Sequence, residues 1–372
     1  MSLRFVAVGD VAPDRDDPAT IFDAVRHRLT AADLGYCQLE VNLTTRGTRM
    51  PQARHTMRGK PEIADALVGA GLEVVSFAGN HTMDWGPDGM FDTLENLTRA
   101  GARPMGAGAN IAEARAPVIV DRGGVTVGFL SVNSILPANY WAEEAKPGCA
   151  PMRGHTLYEQ IETDQPGTPA RIHTFPHRED LAALVASIRD LKTRADVVIL
   201  SHHAGIHFVP AVIPDYQRDV AFAAIDAGAD MVLGCHAHIL KGMEFYKGRP
   251  IVHSLANFAL DLKMDAKHAA SKGFKEIQKL NPDWVPDLDS SYNFPPDSAM
   301  SVFVECRLTA EGVQDLRLVP VWIERDAVPR IVPPEDPRFD RILAYLRQIT
   351  AEAGLDTLYT PEGDVLRPHT PE

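Results

Sequence analysis

Five apolar runs in the 372-residue chain each end in a residue able to hold or flank a metal ion. They are Phe5-Val6-Ala7-Val8-Gly9-Asp10, Tyr36-Cys37-Gln38-Leu39-Glu40, Val74-Val75-Ser76-Phe77-Ala78-Gly79-Asn80-His81, Val197-Val198-Ile199-Leu200-Ser201-His202-His203, and Met231-Val232-Leu233-Gly234-Cys235-His236-Ala237-His238. Carboxylate, amide and imidazole donors suit a divalent cation, whose chemistry is to polarise a carbonyl or phosphoryl oxygen and to activate water. The sharpest signal is His236-Ala237-His238, because two neutral imidazoles two residues apart in a loop can be aimed at one ion.

These residues need elements to position them. Short β-branched runs read as buried strands, and in open α/β sheets ligands gather at the carboxyl ends of strands. Between the runs the period changes: 19–31, 61–70, 87–100, 179–191 and 215–226 carry apolar residues at three- and four-residue spacing and read as surface helices. The alternation predicts parallel pairing. Residues 116–120 and 125–132 around Arg122-Gly123-Gly124 predict a hairpin, and 300–308 with 313–321 a second antiparallel pair. Two stretches break the rhythm, 137–177 and 261–297. The second carries Lys267, Lys272, Lys275, Lys279, Trp284 and Tyr292, a mixture that either covers a pocket or forms a solvated excursion. A helix over 338–354 is expected, followed by a Pro-rich end that frays.

Composition bounds the class. At 45% hydrophobic and 7% aromatic the chain matches a soluble globular enzyme, and a net charge of -13 argues against a surface built for nucleic acid or an anionic membrane. The N-terminus enters the first strand directly and no run approaches the length of a membrane span, so a cytoplasmic protein without a membrane anchor is expected. The four cysteines show no CxxC pairing, and Cys37 and Cys235 read as small core residues. Gly106-Ala107-Gly108 reads as a turn, and no Gly-x-Ser-x-Gly or phosphate-loop motif supports covalent serine or nucleotide chemistry.

Six segments carry a specific resemblance: Val8-Gly9-Asp10-Val11; Leu39-Glu40 followed by Leu43-Thr44; Ala78-Gly79-Asn80-His81-Thr82-Met83-Asp84-Trp85-Gly86; His203-Ala204-Gly205; Gly234-Cys235-His236-Ala237-His238; and Ile251-Val252-His253-Ser254-Leu255-Ala256-Asn257-Phe258. Their order and content resemble the poly-gamma-glutamate capsule biosynthesis (CapA) family, a branch of the calcineurin-like metallophosphatase superfamily. The resemblance implies a four-layer α/β/β/α sandwich of two mixed sheets over residues 1–330, with the inserts named above and a C-terminal helix and tail over 331–372. It also implies Asp10, Glu40, Asn80, His203, His236 and His238 as metal ligands and His81 as acid or base, with Asp84 orienting His81.

The departures from the family pattern matter too. Ala12 stands where the superfamily's first-strand histidine would be, so one tight metal site and a weaker or absent second are implied. His207 replaces a family glutamate and His253 an aromatic residue. Each is either a packing choice or, if it faces the site, a group that moves protons (His253) or meets substrate (His207). His202 neighbours the expected ligand His203, and a strand would point it the other way. Arg58 either binds a substrate carboxylate or phosphate through its planar fork or is a solvated charge. The leading expectation is a divalent-metal-dependent hydrolase (zinc, manganese, iron or cobalt) acting on an amide or ester, or a phosphoester, of a carboxylate-rich small molecule or peptide. The alternatives are a metal-assisted epimerase of an amino-acid residue, with His81 and either Asp10 or His253 as proton carriers, and a non-catalytic accessory of capsule polymer synthesis.

Overall fold

The computed structural model describes residues 1–371 apart from Arg54 and Pro166. Two sheets dominate. The larger has ten strands, ordered Leu358–Glu362, Val365–His369, Gly312–Ile323, Met300–Thr309, Leu3–Ala12, Leu34–Leu39, Val74–Ser76 and Arg103–Met105, with two further strands branching from this path. Leu3–Ala12 is the hinge of the pattern, running parallel to Leu34–Leu39 and antiparallel to Met300–Thr309. The smaller sheet has six strands, ordered Met243–Tyr246, Arg249–Val252, Met231–Cys235, Val197–His203, Val125–Asn133 and Val118–Arg122. Its centre is parallel and both edges are antiparallel.

Side-chain alternation along the strands makes three cores. Phe5, Tyr36, Phe129, Ile199 and Leu233 face inward and pack the sheets against each other. On the outer face of the larger sheet, Val6, Val8, Cys37 and Leu39 meet Ile63 and Leu67 of the helix Ile63–Gly69 and Met90 and Leu97 of the helix Gly86–Arg99. On the outer face of the smaller sheet, Val198, Leu200 and Val232 meet Leu184 and Ile188 of Arg178–Lys192 and Val220 and Ala224 of Asp215–Ala227. The layers are therefore α/β/β/α, as expected.

Three local expectations change. The helix expected over 19–31 is a 3-10 turn, Pro18–Phe22, and a single helical turn, Arg26–Leu29. Burial of Ile21, Phe22, Val25 and Leu29 against the sheet outweighs helical continuity there. The tail does not fray, because Leu358–Glu362 and Val365–His369 form a hairpin whose Leu366 pairs with Leu318 on the sheet edge. Tyr359 and Leu366 are buried in the inter-sheet core and hold it there. The insert over 261–297 carries two helices, Ala266–Ala269 and Lys272–Leu280, and a small core of its own from Met264, Phe274 and Trp284. Among the described residues no helix is long and apolar enough to cross a membrane.

Candidate metal centre

The site lies where the central strands of both sheets end. Asp10 reaches it through an irregularity. Val6 and Val8 face the helices, and strict alternation would send Asp10 the same way. The register against Leu34–Leu39 shifts between Ala7 and Asp10, and this bulge turns the carboxylate inward. Gly9 permits the turn, since a Cβ there would collide with the Ala256 carbonyl oxygen. Glu40 and His203 need no such device. They continue the inward series of Tyr36 and Gln38, and of Ile199 and Ser201.

Asp10, Glu40 and His203 place ligand atoms within 4.8 Å of one another, and none of the three residues is more than 1% exposed. Asp10 Oδ1, Glu40 Oε2 and His203 Nδ1 are buried without any hydrogen-bond partner. Buried polar atoms are nearly always satisfied, so three orphans of this donor type in one place fit a divalent cation. Burial pushes the Asp10 carboxyl up to about 7 and the Glu40 carboxyl well up, and pushes the His203 imidazole well down. A buried positive charge would reverse the carboxyl shifts and use the neutral imidazole as a donor.

The other expected ligands surround this triad. Asn80 Oδ1 lies 2.8 Å from His203 Nε2 and 3.1 Å from His236 Nδ1. The His236 backbone N–H donates to Asp10 Oδ2 at 3.2 Å. His238 Nδ1 is 3.5 Å from Asp10 Oδ2 and 2.7 Å from Asn257 Oδ1. Both histidines adopt left-handed backbone, with φ of 95° at His236 and 56° at His238. That costly conformation is how the His-x-His loop turns both rings inward. The other three side chains thus gather around the cluster of Asp10, Glu40 and His203.

His81 stands beside them. Its Nδ1 is 2.7 Å from Asp84 Oδ2, and Asp84 Oδ1 accepts from the Tyr140 hydroxyl at 3.1 Å. The charge His81 would carry acts on His203, His236 and His238. The turn that presents it is tied by Thr82, whose Oγ1 donates to the Phe77 carbonyl at 2.6 Å and accepts from the Gly79 N–H at 3.0 Å. His207 also faces the site, its ring 3.9 Å from that of His236 and 5.0 Å from that of His238.

Four residues lie apart. His202 points to the helix side, its Nε2 2.8 Å from Ser134 Oγ, as alternation requires. His253 places Nε2 2.8 Å from Glu244 Oε1, and Glu244 is held by both arms of Arg218 at 2.9 and 2.6 Å. The structure does not bring His253 to the other site residues. Arg58 stacks its guanidinium 3.4 Å over the Trp85 ring, and its Nη2 donates to the carbonyls of Arg46 and Gly47 at 3.0 and 3.3 Å. Ala12 lies in the helix-side cluster, away from the ligands. Two residues escaped the sequence reading of the site. Asn257 holds His238, and Gln38 Nε2 donates to Glu40 Oε1 at 3.3 Å. The signal for both was a polar residue inside an otherwise apolar strand.

The chain is similar to several known proteins. The sequence pattern of the family described as "Bacterial capsule synthesis protein PGA_cap" matches residues 4–262. The PGA biosynthesis protein CapA of Bacillus subtilis is 28% identical over 201 residues, 54% of this chain and 46% of its own length. A Mycobacterium tuberculosis protein named "Probable polyglutamine synthesis accessory protein" is 30% identical over 239 residues, 62% of this chain and 57% of its own. The chain thus spans about half the length of these relatives. Among solved structures, the calcineurin-like phosphoesterase YfkN of Bacillus subtilis aligns over 95% of this chain and 97% of that one, with 14% identity and a TM-score of 0.40.

Proposed function

This chain belongs to the bacterial capsule synthesis protein family PGA_cap, and from its site we propose that it is a divalent-metal-dependent hydrolase. The bond cut is an amide or ester of a carboxylate-rich small molecule or peptide, with a phosphoester as the variant of the same chemistry. The observation that carries this reading is the set of three buried, unpartnered donor atoms on Asp10, Glu40 and His203 beside the His81–Asp84 pair. The substrate class draws on relatives named for PGA biosynthesis and polyglutamine synthesis.

Asp10, Glu40, Asn80, His203, His236 and His238 would hold the ion, with Glu40 and Asp10 supplying the negative charge. When bound, a divalent ion supplies Lewis acidity to the carbonyl or phosphoryl oxygen and to water. His81 carries the proton for the leaving group: Asp84 accepts from Nδ1–H, so the neutral ring is the Nδ1–H tautomer, and Nε2 takes up a proton and gives it away from the imidazolium form. Asp84 fixes that tautomer and is itself held by Tyr140. His207, lying over the His236 and His238 rings, contacts the substrate at the mouth. A cytoplasmic location belongs to the same proposal and is tested by cell fractionation.

Elemental analysis of the purified wild type, His203→Ala and His238→Ala tests the reading. We expect about one ion per chain in the wild type and its loss in both variants, and about two would favour a bridged phosphatase-like centre. No metal in the wild type after incubation with zinc, manganese or iron overturns the hydrolase and leaves the accessory role. Solvent deuterium entering a peptide without cleavage would favour epimerisation, for which His253, engaged by Glu244, is not an available second carrier.

A further inference from the structure

We propose that Gln38 is the positioning residue of the metal centre, and that a chain of buried hydroxyls beneath it locks the two sheets at the separation the centre requires. The inference rests on the metal reading above. It concerns what makes the ligand set rigid.

Along the inward faces of four strands the side chains are layered, and two of these strands go on to carry expected ligands. The floor is apolar, with Val74, Phe129 and Ile199. Two residues on come Ser76, Ser131 and Ser201, with Gln38 at the same level, and two further on Glu40 and His203 among the ligands. The middle zone is buried: Gln38 and Ser76 are 0% exposed, Ser131 3%, Ser201 1% and Tyr36 0%. A hydroxyl or amide costs free energy in such a place unless it is hydrogen-bonded, and every one of these is. Ser76 Oγ donates to Gln38 Oε1 at 2.6 Å. Ser76 and Ser131 Oγ are 2.6 Å apart, Ser131 and Ser201 Oγ 3.4 Å, and Ser201 Oγ and the Tyr36 hydroxyl 2.6 Å.

The chain has two consequences. The Ser76 proton, given to the amide oxygen, leaves the Gln38 NH2 group facing Glu40, where Nε2 donates to Oε1 and to the Leu39 carbonyl, each at 3.3 Å. One carboxylate oxygen is thereby fixed, and Oε2 remains without a partner. Gly79 backs onto this pair; a Cβ there would lie 3.0 Å from Glu40 Oε1 and 3.1 Å from Gln38 Nε2. The second consequence is between sheets. Asp10 and Glu40 come from the larger sheet, while His203, His236 and His238 come from the smaller. The Ser76–Ser131 contact crosses that gap directly below them. Apolar faces tolerate small sliding, but a short oxygen–oxygen hydrogen bond does not.

The test measures zinc affinity by chelator competition on folded protein, with the thermal midpoint of the metal-free form alongside. Gln38→Met keeps the volume and removes all three polar contacts. We expect zinc to bind roughly 10–100-fold more weakly, the range seen when an outer-shell partner of a ligand is lost. Ser76→Ala, a smaller change that keeps the test alive if Gln38→Met does not fold, should weaken zinc to a lesser extent. Thr350→Val removes a buried hydroxyl bonded to Tyr359 at 2.9 Å, far from the ligands in the chain. It should lower the midpoint and leave zinc affinity alone. Wild-type affinity in both Gln38→Met and Ser76→Ala, or an equal loss in Thr350→Val, overturns the inference. A wild type that binds no zinc, manganese or iron overturns the hydrolase reading with it, so the two failures are distinguishable.

Discussion

In the proposed hydrolase, proton delivery depends on a pair that a single substitution separates. His81→Ala removes the imidazole and leaves all six expected ligands in place, so metal content should stay at the wild-type level. Turnover of an ester or amide that the wild type cleaves should fall roughly 10²–10⁴-fold. Asp84→Asn should cost less, because Tyr140 can still engage the side chain while the imidazole loses its anionic partner. Loss of metal in His81→Ala would move His81 into the ligand set instead. His202 makes a separate prediction about stability. Burial, assisted by the charge on His253, pushes its imidazole down to about 3. The unfolded chain, with a value near 6.5, therefore takes up this proton first. The folded state keeps its full stability above about pH 6.5 and loses it as pH falls toward 3, on the order of 1 kcal/mol per pH unit. His202→Phe should flatten the wild-type slope by about one proton between pH 6 and 4 in denaturant titrations. An unchanged slope would mean His202 is charged when folded. The opposite directions of His202 and His203 were legible from strand alternation, but the fate of His253 was not. A histidine next to a family motif does not reveal that Glu244, nine residues earlier, engages its ring.

Elements decide where these side chains point, and one element does so by breaking its own rule. The strand Leu3–Ala12 was plain in the sequence, and so were the helices that follow the later strands. The slip between Ala7 and Asp10 was not, because a bulge leaves apolar periodicity almost untouched. Gly9 was its only trace. Gly9→Ala should cost on the order of 3 kcal/mol, since backbone rather than a flexible side chain blocks the added methyl. A midpoint within a degree or two of wild type would show that the bulge yields easily and does not hold Asp10. The insert over 261–297 has two parts: Leu262, Tyr292 and Phe294 pack into the main core, while residues 264–284 form a small unit. Its core is three buried residues, Met264, Phe274 and Trp284, with Phe208 joining it to the loop that carries His207. Trp284→Ala should therefore open the insert without unfolding the sandwich. Limited proteolysis should find new cuts between residues 265 and 290 while the global midpoint barely moves. A large fall in the global midpoint would instead make the insert part of the main core.

At the scale of the molecule, the matched family region ends at residue 262, and the fold does not. Five of the ten strands of the larger sheet come from residues 300–369, among them Met300–Thr309, the antiparallel neighbour of the strand that carries Asp10. The helix Pro337–Glu352 turns Phe339, Ile342, Leu346 and Ile349 into the core between the sheets. Hydrophobic spacing showed this helix in the sequence. Its place did not show, because periodicity says which face is apolar and not which gap it fills. Nor did it show that a Pro-containing tail, Leu358–His369, would lie along a sheet edge, where proline is tolerated because no further strand needs its missing N–H. The expected ligand residues are thus all present by residue 238, while the sheet that aligns Asp10 with the two imidazoles of His236 and His238 is completed more than 60 residues later. A fragment of residues 1–262 should then retain every expected ligand and still fail to bind zinc, showing no cooperative unfolding. In the full chain, Leu346→Ala should cost roughly 2–5 kcal/mol in global stability while zinc affinity of the folded protein holds. A folded, zinc-binding 1–262 fragment would show that the matched region is self-sufficient and that the last hundred residues are an accessory layer.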